Sequence, residues 1–402
     1  MQRNLNLLTI YTFLINTVFL LPIIVPFYRD ELGLTFHQFL IGEAVFAAVI
    51  ILLEVPSGWL ADIWGRKKTI IMAGVASLIG YSLILSASSF GTAVLGQAVI
   101  GIGVSFHSGT LSAFLYDTLL SQGREAEYRK REGFRHGLGL YSVAFASVLG
   151  GILYQLNHSL PILVEIVFIA TAIVVSFFLQ EPSRHQKAVE KNAFHDAYET
   201  MKYALHGHKE IGAMIILIAL TFGSTKVFLW AQQPYYAGLN IPESVYGFIL
   251  AGSMLLGGLG GHFGHHILRG WQGLAVIKSL LAVVILICLT AGLALTYGGF
   301  AVLSLGAFIW GFGWPRVQET INHAVGSERR ATILSTASLM FSLAFIPFSL
   351  LLGWVEEQRS ITTALLVHAG VLAVFGGAFL VWLEARKKKA NAEAEATAST
   401  PA

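Results

Sequence analysis

From Thr69 to Tyr116 the chain carries no Asp, Glu, Lys or Arg. A water-soluble domain is roughly 25% charged, so a gap of 48 residues cannot coat a surface that faces water. It is long enough for two membrane crossings of about 20 residues each. The polar break between them is SASSFG, Ser86–Gly91. The pattern recurs along the chain, and composition follows it: 55% of the 402 residues are hydrophobic and only 12% are charged. Lipid is the solvent this sequence is built for.

Apolar segments bounded by charges or turn residues predict an all-α membrane protein of twelve spans. They run over 5–28, 37–61, 69–87, 92–118, 135–156 and 159–180, then 211–236, 244–268, 273–296, 298–323, 331–355 and 361–384. Cations test this topology. With both termini in the cytoplasm, 21 of the 26 Lys and Arg fall inside, Arg29 and Arg359 fall outside, and Lys226, Lys278 and Arg316 lie within spans. That split matches the positive-inside bias. The opening MQRNLNLLTIYTFLINTVFLLPIIV has no clean small-residue cleavage site and reads as the first span.

The polar stretch 181–210 separates six spans from six, which predicts a six-helix bundle over 1–180, a cytoplasmic linker and a second bundle over 211–384. Within the linker, AFHDAYETMKYAL has the pattern of an amphipathic surface helix. Residues 385–402 read as a disordered cytoplasmic tail. The 41 glycines, often in pairs such as Gly150/Gly151 and Gly257/Gly258, suit close helix packing, static or sliding. The lone Cys288 allows no intramolecular disulfide and reads as a small buried side chain.

Topology explains the cations in GWLADIWGRKK, the turn between spans two and three, but not Asp62 or two glycines seven apart. Gly58, Leu60, Ala61, Asp62, Gly65, Arg66, Lys67 and Lys68 together resemble the signature loop of the major facilitator superfamily. Span count, orientation, central linker and the Glu181–Pro182 pair after span six extend the resemblance over the whole chain. It implies two bundles rocking about a central site, with the loop latching the cytoplasmic side. Asp62 would then face the N-terminal end of span eleven near Ala331, and Arg66 would pair with Asp117 at the end of span four. Glu54, in EVPSG, and RRATILST at the start of span eleven resemble a subset of the superfamily. Two positions depart from the pattern associated with proton antiporters. Gln97 stands where span four often has an arginine, and Ala146–Ser147 stand where span five often has Gly-Pro.

Ionisable groups within spans are expensive and point to function. Lys226, followed by Gln232 and Gln233, is read as a contact for a substrate anion or a coupling group, or as a snorkelling amine. Arg316 and Glu319, with His323, share a face of span ten and predict an intrahelical pair. Glu43 and Glu165 lie nearer the outer end and read as interfacial, with Glu43 a candidate proton carrier. His107 is a candidate proton carrier or substrate contact, or a packing residue. Asn16 points to a cavity or to a hydrogen bond between helices, and Glu54 needs a partner or a proton. His262, His265 and His266 read as a solvated helix end rather than a metal site. Trp230, Tyr235, Tyr236, Trp310 and Trp314 belong to a cavity wall or a membrane interface.

These features predict a secondary active transporter that moves a small solute across the cytoplasmic membrane by alternating access, with proton-coupled efflux as the first form. Uptake symport, uniport and a non-transporting sensor on the same scaffold are the alternatives. The absence of GxxxxGK[ST] argues against an ATP-driven pump. No enzyme activity, cofactor, metal or nucleic acid is expected. The expected partners are a solute, H+ and the lipid bilayer, around a monomer.

Overall fold

A computed structural model describes residues 2–182, 202, 209–263, 273–324 and 327–398. The first bundle comprises α1 (Gln2–Ile15), α2 (Ile24–Asp30), α3 (Phe36–Trp64), α4 (Arg66–Leu85), α5 (Phe90–His107), α6 (Thr110–Leu120), α7 (Tyr128–Leu156) and α8 (Leu160–Phe177). The second comprises α9 (Lys209–Gly238), α10 (Glu243–Phe263), α11 (Leu274–Leu293), α12 (Tyr297–Ala324), α13 (Ser327–Gln358) and α14 (Ile361–Ala398). Among the described residues, 11 segments are long and apolar enough to cross a membrane. The expected linker helix and His265 and His266 lie outside the described residues.

The twelfth expected crossing, over 5–28, is not one helix. It breaks after Ile15 and resumes as a short 3-10 turn at Leu21–Ile23 that leads into α2. Pro22 and Pro26 lack the N–H groups a continuous helix would use. Span four also divides, between α5 and α6, where Gly109 takes φ +71°. At the other end of the chain, residues 385–398 are not the disordered tail expected from their polarity: they continue α14 to Ala398. Their Ala, Glu, Lys and Arg are strong helix formers, and the apolar helix before them supplies the nucleus.

Lipid gives helices no hydrophobic reason to associate, so small residues and polar bonds must hold them together. Within the first bundle α4 packs on α5 and α8, and α3 on α5. In the second, α10 packs on α12, α9 on α13, and α11 on α14. The bundles meet through α7 against α10 and α3 against α13. Most of α9 is buried, which makes it the central post of the molecule. Outward-facing side chains are apolar and bare: Leu156 is 73% exposed and Leu293 77%.

Candidate functional site

The bundles are fastened at the end where α2 finishes and α3 begins. There α7 crosses α10 so closely that a Cβ on Gly247 would overlap the Ser147 carbonyl oxygen. Any larger residue at 247 would separate the helices. Arg29 donates to Glu243 of the second bundle at 2.8 Å and to Asp30 at 2.6 Å. The Tyr154 hydroxyl donates to Asp30 at 2.9 Å. The Arg29 hydrogen bond, with help from Tyr154, holds the Asp30 carboxyl below its usual range. His37 on α3 meets Glu357 on α13 at 3.0 Å, and Phe39 packs edge-on against Trp230.

Broken backbone needs partners when no water is present, and two side chains supply them. Glu165 accepts the Leu20 N–H at 3.0 Å, bonds the Phe19 N–H and Tyr81, and is 2% exposed. Gln233 on α9 accepts the Val25 N–H and donates to the Leu21 carbonyl, both at 3.0 Å. Glu165 is therefore buried and satisfies the backbone at the break in span one.

About two turns into α3, Glu43 is 5% exposed and accepts Gln97 Nε2 at 3.1 Å. The same nitrogen reaches the Tyr28 hydroxyl at 3.1 Å. Glu43 is thus buried too. Lys226, on the opposite bundle, is within electrostatic reach of Glu43. Its amine lies 4.3 Å from the centre of the Phe345 ring. One acid and one base, each on a different bundle, are therefore electrostatically coupled across the interface.

At the opposite end, Gly65 separates α3 from α4 with φ +105°, a conformation that favours glycine. Glu181 accepts the Arg66 and Lys67 N–H groups, both at 2.8 Å, and so caps α4. Lys67 Nζ donates to the Phe177 carbonyl at 2.7 Å. Arg66 pairs with Asp62 at 2.7 Å and lies 3.5 Å from Asp117. Arg66 and Asp117 are largely buried, while Asp62 is 57% exposed. A Cβ on Gly58 would meet nothing within 4 Å.

The other expected residues are dispersed. Asn16 caps its own helix, with Nδ2 donating to the Thr12 carbonyl at 2.8 Å. His107 hydrogen-bonds the Tyr11 hydroxyl at the end of α5. Glu54 lies on an exposed face rather than deep in the packing. Arg316 and Glu319 form an intrahelical pair at 3.0 Å. Trp230, Tyr235 and Tyr236 are buried, and Tyr235 donates to the Ala294 carbonyl. Among the described residues no group of three metal-ligating side chains occurs. Sequence reasoning missed the pairing of Arg29 with Glu243. A signal existed, because Arg29 is one of the two cations that defy the positive-inside bias.

The family model for the Major Facilitator Superfamily matches residues 7–346. A relative from Bacillus subtilis (strain 168), the uncharacterized MFS-type transporter YxaM, is 26% identical over 223 residues, 54% of this chain and 54% of that protein. That alignment spans about half the length of the relative. Among solved structures, a mutant form of the nucleoside transporter NupG superposes with TM-score 0.79 at 14% identity, covering 94% of this chain and 99% of that one. A POT family transporter in complex with 5-aminolevulinic acid superposes with TM-score 0.69 at 14% identity, covering 95% and 96%. At these identities the likeness is one of fold.

Proposed function

The chain belongs to the Major Facilitator Superfamily, and from that premise we propose that it carries a small solute across the cytoplasmic membrane by alternating access, with H+ as coupling ion and Glu43 as its carrier. The N-terminus lies in the cytoplasm, so the Arg29–Glu243 end faces out and the signature loop faces in. The molecule is then closed to the outside. What carries the reading is the fastening of the two bundles at that one end, through Gly247 on Ser147, Arg29 on Glu243 and Gln233 on the first span.

The opposite state closes the inner end, and Asp62, Arg66 and Asp117 are its latch. Arg66 and Asp117 are largely enclosed, so removing either leaves the other charge poorly paired, which is costly. Proton coupling draws support from Glu43. It is enclosed, bonded by a neutral amide that tolerates either protonation state, and faced by a cation on the moving partner bundle. Gln97 has no permanent charge of its own. The test is flux in proteoliposomes under an imposed pH gradient. Wild type responds to the gradient, and Glu43→Gln exchanges solute without responding to it. Equal gradient dependence in both would remove Glu43 from the mechanism. In the same vesicles, Asp62→Asn shifts the bundles towards inward-open. Unchanged populations would remove the latch, and solute-driven bundle movement without flux would favour a sensor.

A further inference from the structure

Lys226 is a mid-membrane ammonium with three donors and an unusual set of neighbours. Its amine sits over the Phe345 ring. Among the described residues the charge within reach of it is that of Glu43, and no hydrogen bond from its amine to an oxygen of the chain occurs. A ring face offsets only part of the hydration an ammonium gives up on burial. The donors therefore call for an acceptor that arrives from outside the chain.

What lies beside the amine narrows that acceptor. One turn back along α9 is Phe222, and one turn back along α13 from Phe345 is Phe341. A helical turn is about 5.4 Å. Between them stand Trp310 and Trp314 of α12, their rings parallel to within 9° and 6.1 Å apart. Phe222 meets Trp310 at 5.3 Å, and Phe341 meets Trp314 at 5.5 Å. Trp310 is 37% exposed. A lone cation and a flat aromatic wall are thus about one turn apart, on the signature-loop side of the amine.

We propose that the solute is an aromatic organic acid: its carboxylate takes the Lys226 ammonium, and its ring lies against the Trp310–Trp314 wall. This rests on the transporter reading and names its cargo. The carboxylate supplies the acceptors Lys226 lacks, and the ring offers the apolar surface on which tryptophan stacks. Glu43 across the interface is the internal anion with which the solute competes.

The experiment uses the purified full chain, titrated with phenylacetate and 3-phenylpropionate and, as controls, acetate and phenylacetamide. Binding is read by tryptophan fluorescence and by the thermal midpoint. The aromatic acids bind at least tenfold more tightly than either control. Lys226→Met loses at least tenfold in affinity for them, Lys226→Arg stays within a few-fold, and Trp310→Leu weakens the aromatic acids but not acetate. The comparison of acid with amide is made on wild type, so it holds even if Lys226→Met does not fold. Equal affinity for phenylacetate and phenylacetamide, or no binding of any acid up to millimolar concentration, overturns the proposal. If a neutral solute then drives flux in proteoliposomes, alternating access stands and only the acid site falls. If no solute in either class moves the bundles, both readings fall.

Discussion

Gln233 completes a hydrogen bond that Val25 does not make within its own span. Its side-chain amide accepts the Val25 N–H and donates to the Leu21 carbonyl, each at 3.0 Å. Residues 21 and 25 are four apart, the spacing of partners in an uninterrupted α-helix. A side chain from the second bundle thus stands in for one rung of a helix in the first. When the bundles part at this end, that rung must close on itself or go unmet.

Gln233→Leu removes both bonds while keeping similar bulk. Leaving a buried backbone group unpaired costs about 1–3 kcal/mol for each of the two, so the closed state loses at least about tenfold in population against the state open at this end. Spin labels on α7 and α10 read the change as a longer distance component. Unaltered distance distributions would mean that the amide merely fills space.

The crossing of α7 and α10 leaves no room for a methyl group at Gly247, whose Cβ would fall on the Ser147 carbonyl. Gly247→Ala is expected to hold the bundles apart at this end, with transport lost and the thermal midpoint close to that of wild type. A disulfide between Arg29→Cys and Glu243→Cys reports closure and should form poorly in the Gly247→Ala background. Cys288 is buried and does not compete. Wild-type cross-linking would show that the helices slide to accommodate the methyl.

Glu181 caps α4 through two N–H groups, and a cap of this kind is worth about 1 kcal/mol. Glu181→Ala should lower stability by about that amount. Gly65→Ala adds strain at φ +105°, ψ 146° and brings its Cβ to 3.1 Å from the Glu181 carboxylate, costing about 1–3 kcal/mol. The double variant should cost less than the two singles together, since the crowding disappears with the carboxylate. Strict additivity in melting experiments would argue that the cap and the turn are independent.

The pH response of the ion cluster around Arg29 has a definite sign. Arg29 holds the Asp30 carboxyl below its usual range, so the folded state binds that proton less readily than the unfolded chain. Its contribution is present above the ordinary carboxylate value, about 3.9, and is lost as pH falls through the lower folded value. Asp30→Asn should therefore lower the thermal midpoint at pH 7, by no more than about 1 kcal/mol for so exposed a cluster. The gap to wild type should narrow only under acid below that value. A gap that closes near pH 6 would assign the effect to another group.

Much of the architecture is local and was legible. Hydropathy is summed residue by residue by the surrounding lipid, so eleven of the twelve expected crossings appear as helices long enough to span. The GWLADIWGRKK motif implied an approach of Arg66 to Asp117, and the two lie 3.5 Å apart. The prolines that interrupt span one were also visible, but their consequence was not. Whether a helix breaks or only bends depends on who takes its freed N–H groups. Here the takers are Glu165 and Gln233, 145 and 208 positions along the chain from their partners.

The sequence by itself determined that this chain lives in a membrane, that eleven of its expected crossings are long and apolar enough to span it, and where its signature turn falls, because each follows from composition over some twenty residues. Only the tertiary structure decided which end is fastened, what completes the broken span, and that Lys226 comes within electrostatic reach of Glu43. Those relations join helices hundreds of residues apart, and a charge or a bare N–H in lipid takes its meaning from whatever the fold brings next to it.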